Sequence, residues 1–303
     1  MSKISILIPT YNASKDIRSL LSKLYAQVID DKEIEIIIID SSSTDNTIQI
    51  IKEEFPSVLV EVIPNNSFDH GGTRNLLANK ASGEYLLFMT QDAIPYDNYL
   101  LINLLEPLKT DNTMISFARQ IAKNDASPLE RLARLYNYPE KTIVKNMDKI
   151  EELGIKTFFN SNVCSMYKKE VFRKYGGFPE KIILNEDMIL SSKVILDGYS
   201  VSYTSDAKVY HSHNYSIRQQ FKRNFDIGMA FSETSYLLKY ASNEKEGIKM
   251  VLFQIKQLFI QKKLFYLARS IVENFVKYIG YNLGKRHSLL PLKYKKLFSA
   301  YMK

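Results

Sequence analysis

Short, nearly continuous apolar runs alternate with stretches of helical spacing through the first hundred residues. Residues 4–8, 34–39, 58–63 and 85–89 are rich in β-branched or aromatic side chains and show little period-two alternation. That is the pattern of parallel strands buried on both faces. Between them, residues 14–27, 45–54 and 73–81 carry apolar positions at helical spacing. The alternation predicts an α/β fold, a doubly wound, mostly parallel sheet with helices on both faces. Ligands of such sheets bind outside the carboxyl ends of the strands. All four runs end in polar segments: Pro9-Thr10-Tyr11-Asn12, Asp40-Ser41-Ser42-Ser43, the stretch from Asn65 to Gly72, and Thr90-Gln91-Asp92-Ala93. These segments are expected to share one edge.

The second half is less regular. Residues 157–167 read as a strand and 168–175 as a short helix stopped at Gly176-Gly177. Residues 188–196 read as a helix ended by Asp197-Gly198, with short strands at 201–203 and 208–210. From about Gln219 the pattern is helical and basic. Lys249, Lys256, Lys263 and Lys277 fall on a seven-residue spacing with Ser270 in the gap, opposite a face of Val251, Leu252, Ile255, Phe259, Leu267, Ile271 and Phe275. This is an amphipathic helical stretch with a cationic stripe.

Composition narrows the class. With 303 residues, 45% of them hydrophobic and 24% charged, the chain is an ordinary folded protein. Its one cysteine, Cys164, cannot form an internal disulfide. The first apolar run is cut short by Pro9, so no signal peptide is expected, and no run is long enough for a spanning helix. The net charge of +8 is unevenly placed: residues 218–303 carry +12 and the remainder −4. A basic third suits an anionic surface. The cluster Lys285, Arg286, His287, Lys293, Lys295, Lys296 and Lys303, with Phe265, Tyr266, Tyr278, Tyr281 and Tyr294 interleaved, favours a membrane headgroup layer. A solvated face on a helix packed against the main domain and a homodimer interface are the other readings. No RRM, KH or zinc-finger signature is present, so nucleic acid is not an expected partner.

Several polar residues carry candidate chemistry, each beside a plainer reading. Asp40 ends the most apolar strand, placed to accept a hydrogen bond from a base or ribose, or to cap a turn. Gly71-Gly72-Thr73-Arg74-Asn75 opens a helix whose N-terminus and Arg74 suit an anion, or forms a glycine turn. It is neither a Walker loop nor G-x-G-x-x-G. Asp92 can ligate a hard cation that bridges phosphates. His211 and His213, two apart, face one side of an extended segment and suit Mn²⁺ better than Mg²⁺, unless they are structural. Glu186-Asp187 offers a general base, or favourable charge at a helix N-terminus.

In order and spacing these segments resemble the family 2 glycosyltransferases of GT-A fold. The likeness rests on Ile-Leu-Ile-Pro-Thr-Tyr-Asn at the N-terminus, Ile-Ile-Ile-Asp-Ser-Ser-Ser-Thr-Asp at 37–45, the approach from Gly83 to Asp92, Gly176-Gly177-Phe178, Asn185-Glu186-Asp187-Met188 and Asp197-Gly198-Tyr199. Phe68 to Asn75, Thr90-Gln91-Asp92-Ala93 and His211-Ser212-His213-Asn214-Tyr215 further resemble the rhamnosyltransferase-like branch. The resemblance implies a GT-A catalytic domain over 1–217, with a nucleotide-sugar half to about 95 and an acceptor half from 96, followed by a basic helical region over 218–303. It implies inverting transfer of a sugar, L-rhamnose from dTDP-L-rhamnose, to a lipid-linked or growing cell-surface polysaccharide. The setting would be the cytoplasmic face of the membrane. A UDP-linked hexose as donor, and an inactive assembly partner, are the alternatives.

By position in that pattern, Pro9, Thr10, Tyr11, Asn12, Asp40, Gly72, Arg74, Gln91 and Asp92 bind the nucleotide sugar. Thr10, Tyr11 and Asp40 would hold the nucleoside, with Asp40 on the base, and Arg74 would lie near the diphosphate. Asp92 would ligate Mn²⁺ or Mg²⁺ with His211 and, in reserve, His213. Asp187 would be the catalytic base and Glu186 would line the acceptor site. Thr90 stands at the first acidic position of the family's DxD, which leaves metal binding to Asp92 plus a histidine.

Overall fold

The computed structural model describes residues 3–29, 33–240 and 243–302; Lys303 of the basic cluster lies outside them. Nine strands form one sheet in the order β3-β2-β1-β4-β8-β6-β9-β5, with β7 also on β9. The strands are β1 Lys3–Thr10, β2 Glu33–Asp40, β3 Leu59–Val62, β4 Tyr85–Met89, β5 Ile94–Pro95, β6 Thr113–Ile121, β7 Ile143–Lys145, β8 Cys164–Lys168 and β9 Ser200–Tyr210. The helices are α1 Ile17–Tyr25, α2 Thr47–Glu54, α3 His70–Lys80, α4 Leu100–Leu105, α5 Pro128–Asn137, α6 Ile150–Leu153, α7 Lys169–Lys174, α8 Glu186–Leu196, α9 Ile217–Glu233, α10 Asn243–Ile260, α11 Leu264–Lys285 and α12 Leu292–Phe298.

β1 to β4 are parallel to one another, as continuous apolar runs require, and β1 is buried from both sides, with Ile4, Ile6, Leu7 and Ile8 fully buried. Removing each such side chain from water is worth about 1.5–3 kcal/mol, so this register is strongly fixed. β8 then joins β4 antiparallel and β6 joins β8 antiparallel, while β9 returns parallel to β6.

Three sequence expectations shift. The strand expected over 157–167 is confined to β8, because Asn160, Ser161 and Asn162 are held by side-chain hydrogen bonds in a loop. The two short strands at 201–203 and 208–210 are one eleven-residue strand, β9, with an irregularity opposite Ala118/Arg119. The third concerns the tail, where a break at 261–263 separates α10 from α11. The apolar face of these helices points outward: Leu252, Phe259, Ile271 and Phe275 are 61%, 68%, 59% and 63% exposed. Facing inward are polar or small residues, Gln254, Ser270, Glu273, Gly280 and Gly284, together with Leu258, which packs on Leu129 and Leu132, and Tyr281. The reason is close helix packing. A side chain at Gly284 would reach 2.0 Å from the Phe225 carbonyl, and one at Gly228 would reach 2.2 Å from that of Tyr281. Only glycine lets α9 and α11 approach so nearly. Lys277 leaves the outward stripe and is half-buried.

Candidate active site

The parallel register sets Thr10 at the end of β1 beside Asp40 at the end of β2. The Thr10 hydroxyl donates to Asp40 Oδ2 (2.7 Å), and the Ser43 amide and hydroxyl donate to Oδ1 (2.7 Å) and Oδ2 (2.6 Å). Asp40 is fully buried, so its carboxylate is satisfied as a turn-closing group that ties the two strand tips. Asn12, in the left-handed region (φ 49°), donates its amide to Ser43 Oγ and accepts from the Thr44 amide. Gln91 clasps the main chain of Tyr11 through both amide atoms (2.7 and 3.0 Å), joining the tips of β1 and β4. Pro9 is half-buried in β1, while Tyr11 is 45% exposed beside the tips.

Next to Gln91, Asp92 meets the segment that leaves β9. Its Oδ2 lies 3.5 Å from His211 Nε2 and 3.2 Å from His213 Nε2, and the two imidazole nitrogens are 3.1 Å apart. Behind them His211 Nδ1 contacts Gln120 Oε1 at 2.9 Å, and Arg134 donates to that same oxygen. An arginine can only donate, so this Gln120 atom is the carbonyl oxygen and His211 Nδ1 carries the proton. The lone pair of His211 Nε2 therefore faces a carboxylate and a second imidazole. Either His213 donates a proton into this space or a cation fills it. Burial pushes the His211 pKa down to about 3 and lowers that of His213 as well. Burial alone would raise Asp92, but His211, His213 and Lys123 hold it below the usual carboxylate range. Two neutral imidazoles and an ionised carboxylate, with donor atoms within 4.8 Å of one another, fit a divalent cation, Mn²⁺ more comfortably than Mg²⁺.

The second carboxylate pair begins α8. Asn185 enters it in the left-handed region (φ 72°). Glu186 is buried, 3.2 Å from Arg74 Nη1, and accepts from Asn162 Nδ2. Asp187 is half-buried and accepts from the backbone amides of Asn162 (2.9 Å) and Met188 (2.7 Å). Burial would raise both groups. Arg74 and His70 keep Glu186 below its ordinary value, whereas burial and the charge of Glu186 push Asp187 up to about 7. Neighbouring carboxyls driven apart in this way divide the labour of acid–base chemistry. The pair is wired to the imidazole cluster: Gln120 Nε2 donates to Ser161, next in the chain to Asn162, whose amide holds Asp187.

Two expectations change at α3. Arg74 is buried against Glu186 (3.2 Å) and the His70 carbonyl, with its Nε left without a partner, so its guanidinium is engaged with the carboxylate pair in this structure. At the helix N-terminus the Gly72 amide is already taken, since Asp69 accepts it at 2.6 Å. A side chain at Gly71 would sit 1.9 Å from the Pro179 carbonyl, so that glycine serves packing. Residues the sequence did not single out are Gln120, Arg134 and Asn162. The polar triplet 160–162 interrupting an apolar run was the one signal available for Asn162. Beyond Asp187 lies a largely apolar cavity of about 610 Å³, lined by Phe117, Tyr136, Lys145, Phe159, Asn185 and Tyr203 among others.

Comparison with known proteins places this arrangement. The profile of the family described as glycosyl transferase family 2 matches residues 5–176. The O-antigen chain rhamnosyltransferase RfbN of Salmonella typhimurium is 38% identical over 301 residues, covering 99% of this chain and 95% of the relative. WbaN of Salmonella anatum, named as the same kind of enzyme, is 36% identical over 303 residues with the same coverage. Among solved structures, a mannosyltransferase from Pyrobaculum calidifontis in complex with GDP-Man and Mn²⁺ superposes with a TM-score of 0.65 at 13% identity, covering 93% of this chain and 87% of that one. Staphylococcus aureus TarS 1–349 with UDP gives 0.55 at 19% identity, with 94% and 92% covered. These likenesses establish the fold.

Proposed function

The chain belongs to glycosyl transferase family 2 and is a glycosyltransferase of the O-antigen rhamnosyltransferase type; from that premise we propose that it transfers L-rhamnose from dTDP-L-rhamnose, with inversion, to a lipid-linked or growing surface glycan. The observation that carries this reading is the convergence of Asp92, His211 and His213, hydrogen-bonded through Gln120 and Ser161 toward Asp187. Residues 1–95 hold the nucleotide sugar and 96–217 the acceptor. Thr10, Tyr11, Asn12, Asp40 and Gln91 shape the nucleoside side of the cleft.

Transfer is a single displacement. An acceptor hydroxyl forms the new bond to the anomeric carbon while the bond to the diphosphate oxygen breaks, its electron pair leaving with the diphosphate. Asp187 takes the hydroxyl proton, its raised pKa matching a base that works near neutrality. Glu186, kept ionised by Arg74, holds Asp187 in that poise. Asp92, His211 and His213 would hold a divalent cation, which when bound adds positive charge at the leaving diphosphate. The acceptor enters through the aromatic cavity beside Asn185, where Lys145 lies 4.6 Å over the Phe117 ring.

The outward apolar face of α10 and α11, edged by exposed Lys256, Lys262 and Lys263, is read as the surface that docks on anionic lipid. No helix among the described residues is long and apolar enough to cross a membrane. A thermal-shift screen of nucleotide sugars with and without Mn²⁺ tests the donor. Stabilisation by dTDP-L-rhamnose is expected; stabilisation by a UDP-hexose in its place overturns the donor assignment.

A further inference from the structure

Cleavage of a nucleotide sugar leaves a diphosphate, and the site described so far provides little protein charge to meet it. The Asp92 cluster brings a carboxylate of its own, which Lys123 already offsets, and Arg74 is engaged with Glu186. One arginine remains without a carboxylate within ion-pair distance among the described residues while standing between the two halves of the site. Arg223, in the second turn of α9, lies with its Cζ 4.7 Å over the Tyr215 ring. Tyr215 in turn packs against His213 (5.1 Å between centroids). On its other side Arg223 Nη1 donates to the Tyr301 hydroxyl at 2.6 Å, and the Tyr301 ring meets His70 edge-on at 5.3 Å. His70 heads α3 and its carbonyl receives Arg74. A guanidinium thus sits between the imidazole cluster and the carboxylate pair.

From this geometry we infer that Arg223 binds the diphosphate of the donor and neutralises it as the sugar leaves, the role the sequence had suggested for Arg74. Guanidinium geometry suits the task, offering five N–H donors in a planar fork that pairs with phosphate oxygens. One donor is committed to Tyr301, and the face is held flat by Tyr215. Arg223 takes no proton; it compensates charge as the electron pair of the broken bond moves onto the diphosphate. Tyr301 is a positioning residue, fixed by a short segment that docks on α9. The Ala300 amide donates to buried Asp226 (2.7 Å), Lys222 donates to the Ser299 carbonyl (3.1 Å), and the Tyr301 and Met302 amides donate to Ser299 Oγ.

This inference rests on the nucleotide-sugar reading, and the test separates the two. Calorimetric titration in Mn²⁺ compares dTDP with dTMP on the full chain, its Arg223→Met and Arg223→Lys variants, and Tyr301→Phe. Arg223→Met is expected to weaken dTDP by about 10- to 100-fold, the range for a charge-assisted contact, and dTMP by far less, with Arg223→Lys between. Tyr301→Phe is expected to weaken dTDP by a few-fold and leave dTMP unchanged. Equal losses for the two nucleotides, or an unchanged dTDP affinity in Arg223→Met, overturn the assignment alone. Parent chain that binds neither dTDP nor UDP overturns it together with the donor reading.

Discussion

The tips of β1 and β2 and the surfaces of α10 and α11 are opposite solutions to the same problem of placing apolar and polar groups. At the strand tips Ile6, Ile8, Ile38 and Ile39 are fully buried, and Asp40 is buried only with three donors around it. In the two helices many large apolar residues are outside, although Leu258 and Tyr281 are buried. Phe259, Phe265 and Phe275 are 68%, 71% and 63% exposed, while Glu273 and Gln254 are buried and satisfied by Arg269 and Asn274. Leaving so many large side chains in water forfeits hydrophobic free energy that a contact surface would recover. The strand tips are finished as they stand; the helices keep an apolar face in water, which the proposed lipid docking would cover.

The largest test of the polar side is Asp187→Asn. It is expected to lower turnover by about 10²- to 10⁴-fold, with donor binding retained in thermal shift. Unchanged turnover removes Asp187 from the chemistry. The intact enzyme should show an acid limb in kcat/KM with apparent pKa about 7, since protonated Asp187 cannot accept a proton. The same shift has a stability sign. The folded state holds this proton up to about pH 7, whereas the unfolded chain releases it near 4. Asp187 therefore favours folding at low pH and loses that contribution as pH rises through the window, which urea titrations at several pH values would register.

Weaker effects probe the support around each region. Gln120→Leu removes the acceptor that fixes the His211 tautomer and is expected to weaken Mn²⁺ binding by about 10- to 100-fold, measured by competition with a metal indicator. An unchanged Mn²⁺ affinity would separate Gln120 from the cation site. On the apolar side, joint Phe259→Ser and Phe275→Ser changes should reduce flotation with anionic liposomes severalfold while leaving the melting temperature nearly unmoved. Loss of folding in that variant would show these rings belong to the core. Lys263→Glu is the smallest change, about 1 kcal/mol per basic residue near an anionic surface. Its flotation should fall on anionic vesicles and not on neutral ones; equal binding to both kinds of vesicle breaks the electrostatic account.

Much of the fold was legible because buried parallel strands leave continuous apolar runs, and the polar residues after them had only one edge to occupy. That His211 and His213 meet Asp92 was implied by the family resemblance, not by the strand pattern. Arg74 and Gly72 were not legible. A glycine pair before a helix looks alike whether it admits a phosphate or the Pro179 carbonyl, and only the fold brings Glu186 to Arg74. The tail was legible as an amphipathic helical stretch but not in how it packs. Helical periodicity separates two faces without saying which is covered, and the glycines that let α11 sit on α9 reversed the usual answer. Arg223 had no marker in the sequence, since its neighbours Tyr215 and Tyr301 are 86 residues apart.

The glycine contact between α9 and α11 has a mechanical consequence. At Gly228 and Gly284 backbone rests almost directly on backbone, so little room is left there for the two helices to shift independently. One portion of this pair carries Arg223, and the other carries the aromatic side chains turned toward solvent. If that solvent-facing portion docks on lipid as proposed, the orientation of the cleft toward the surface would follow from it.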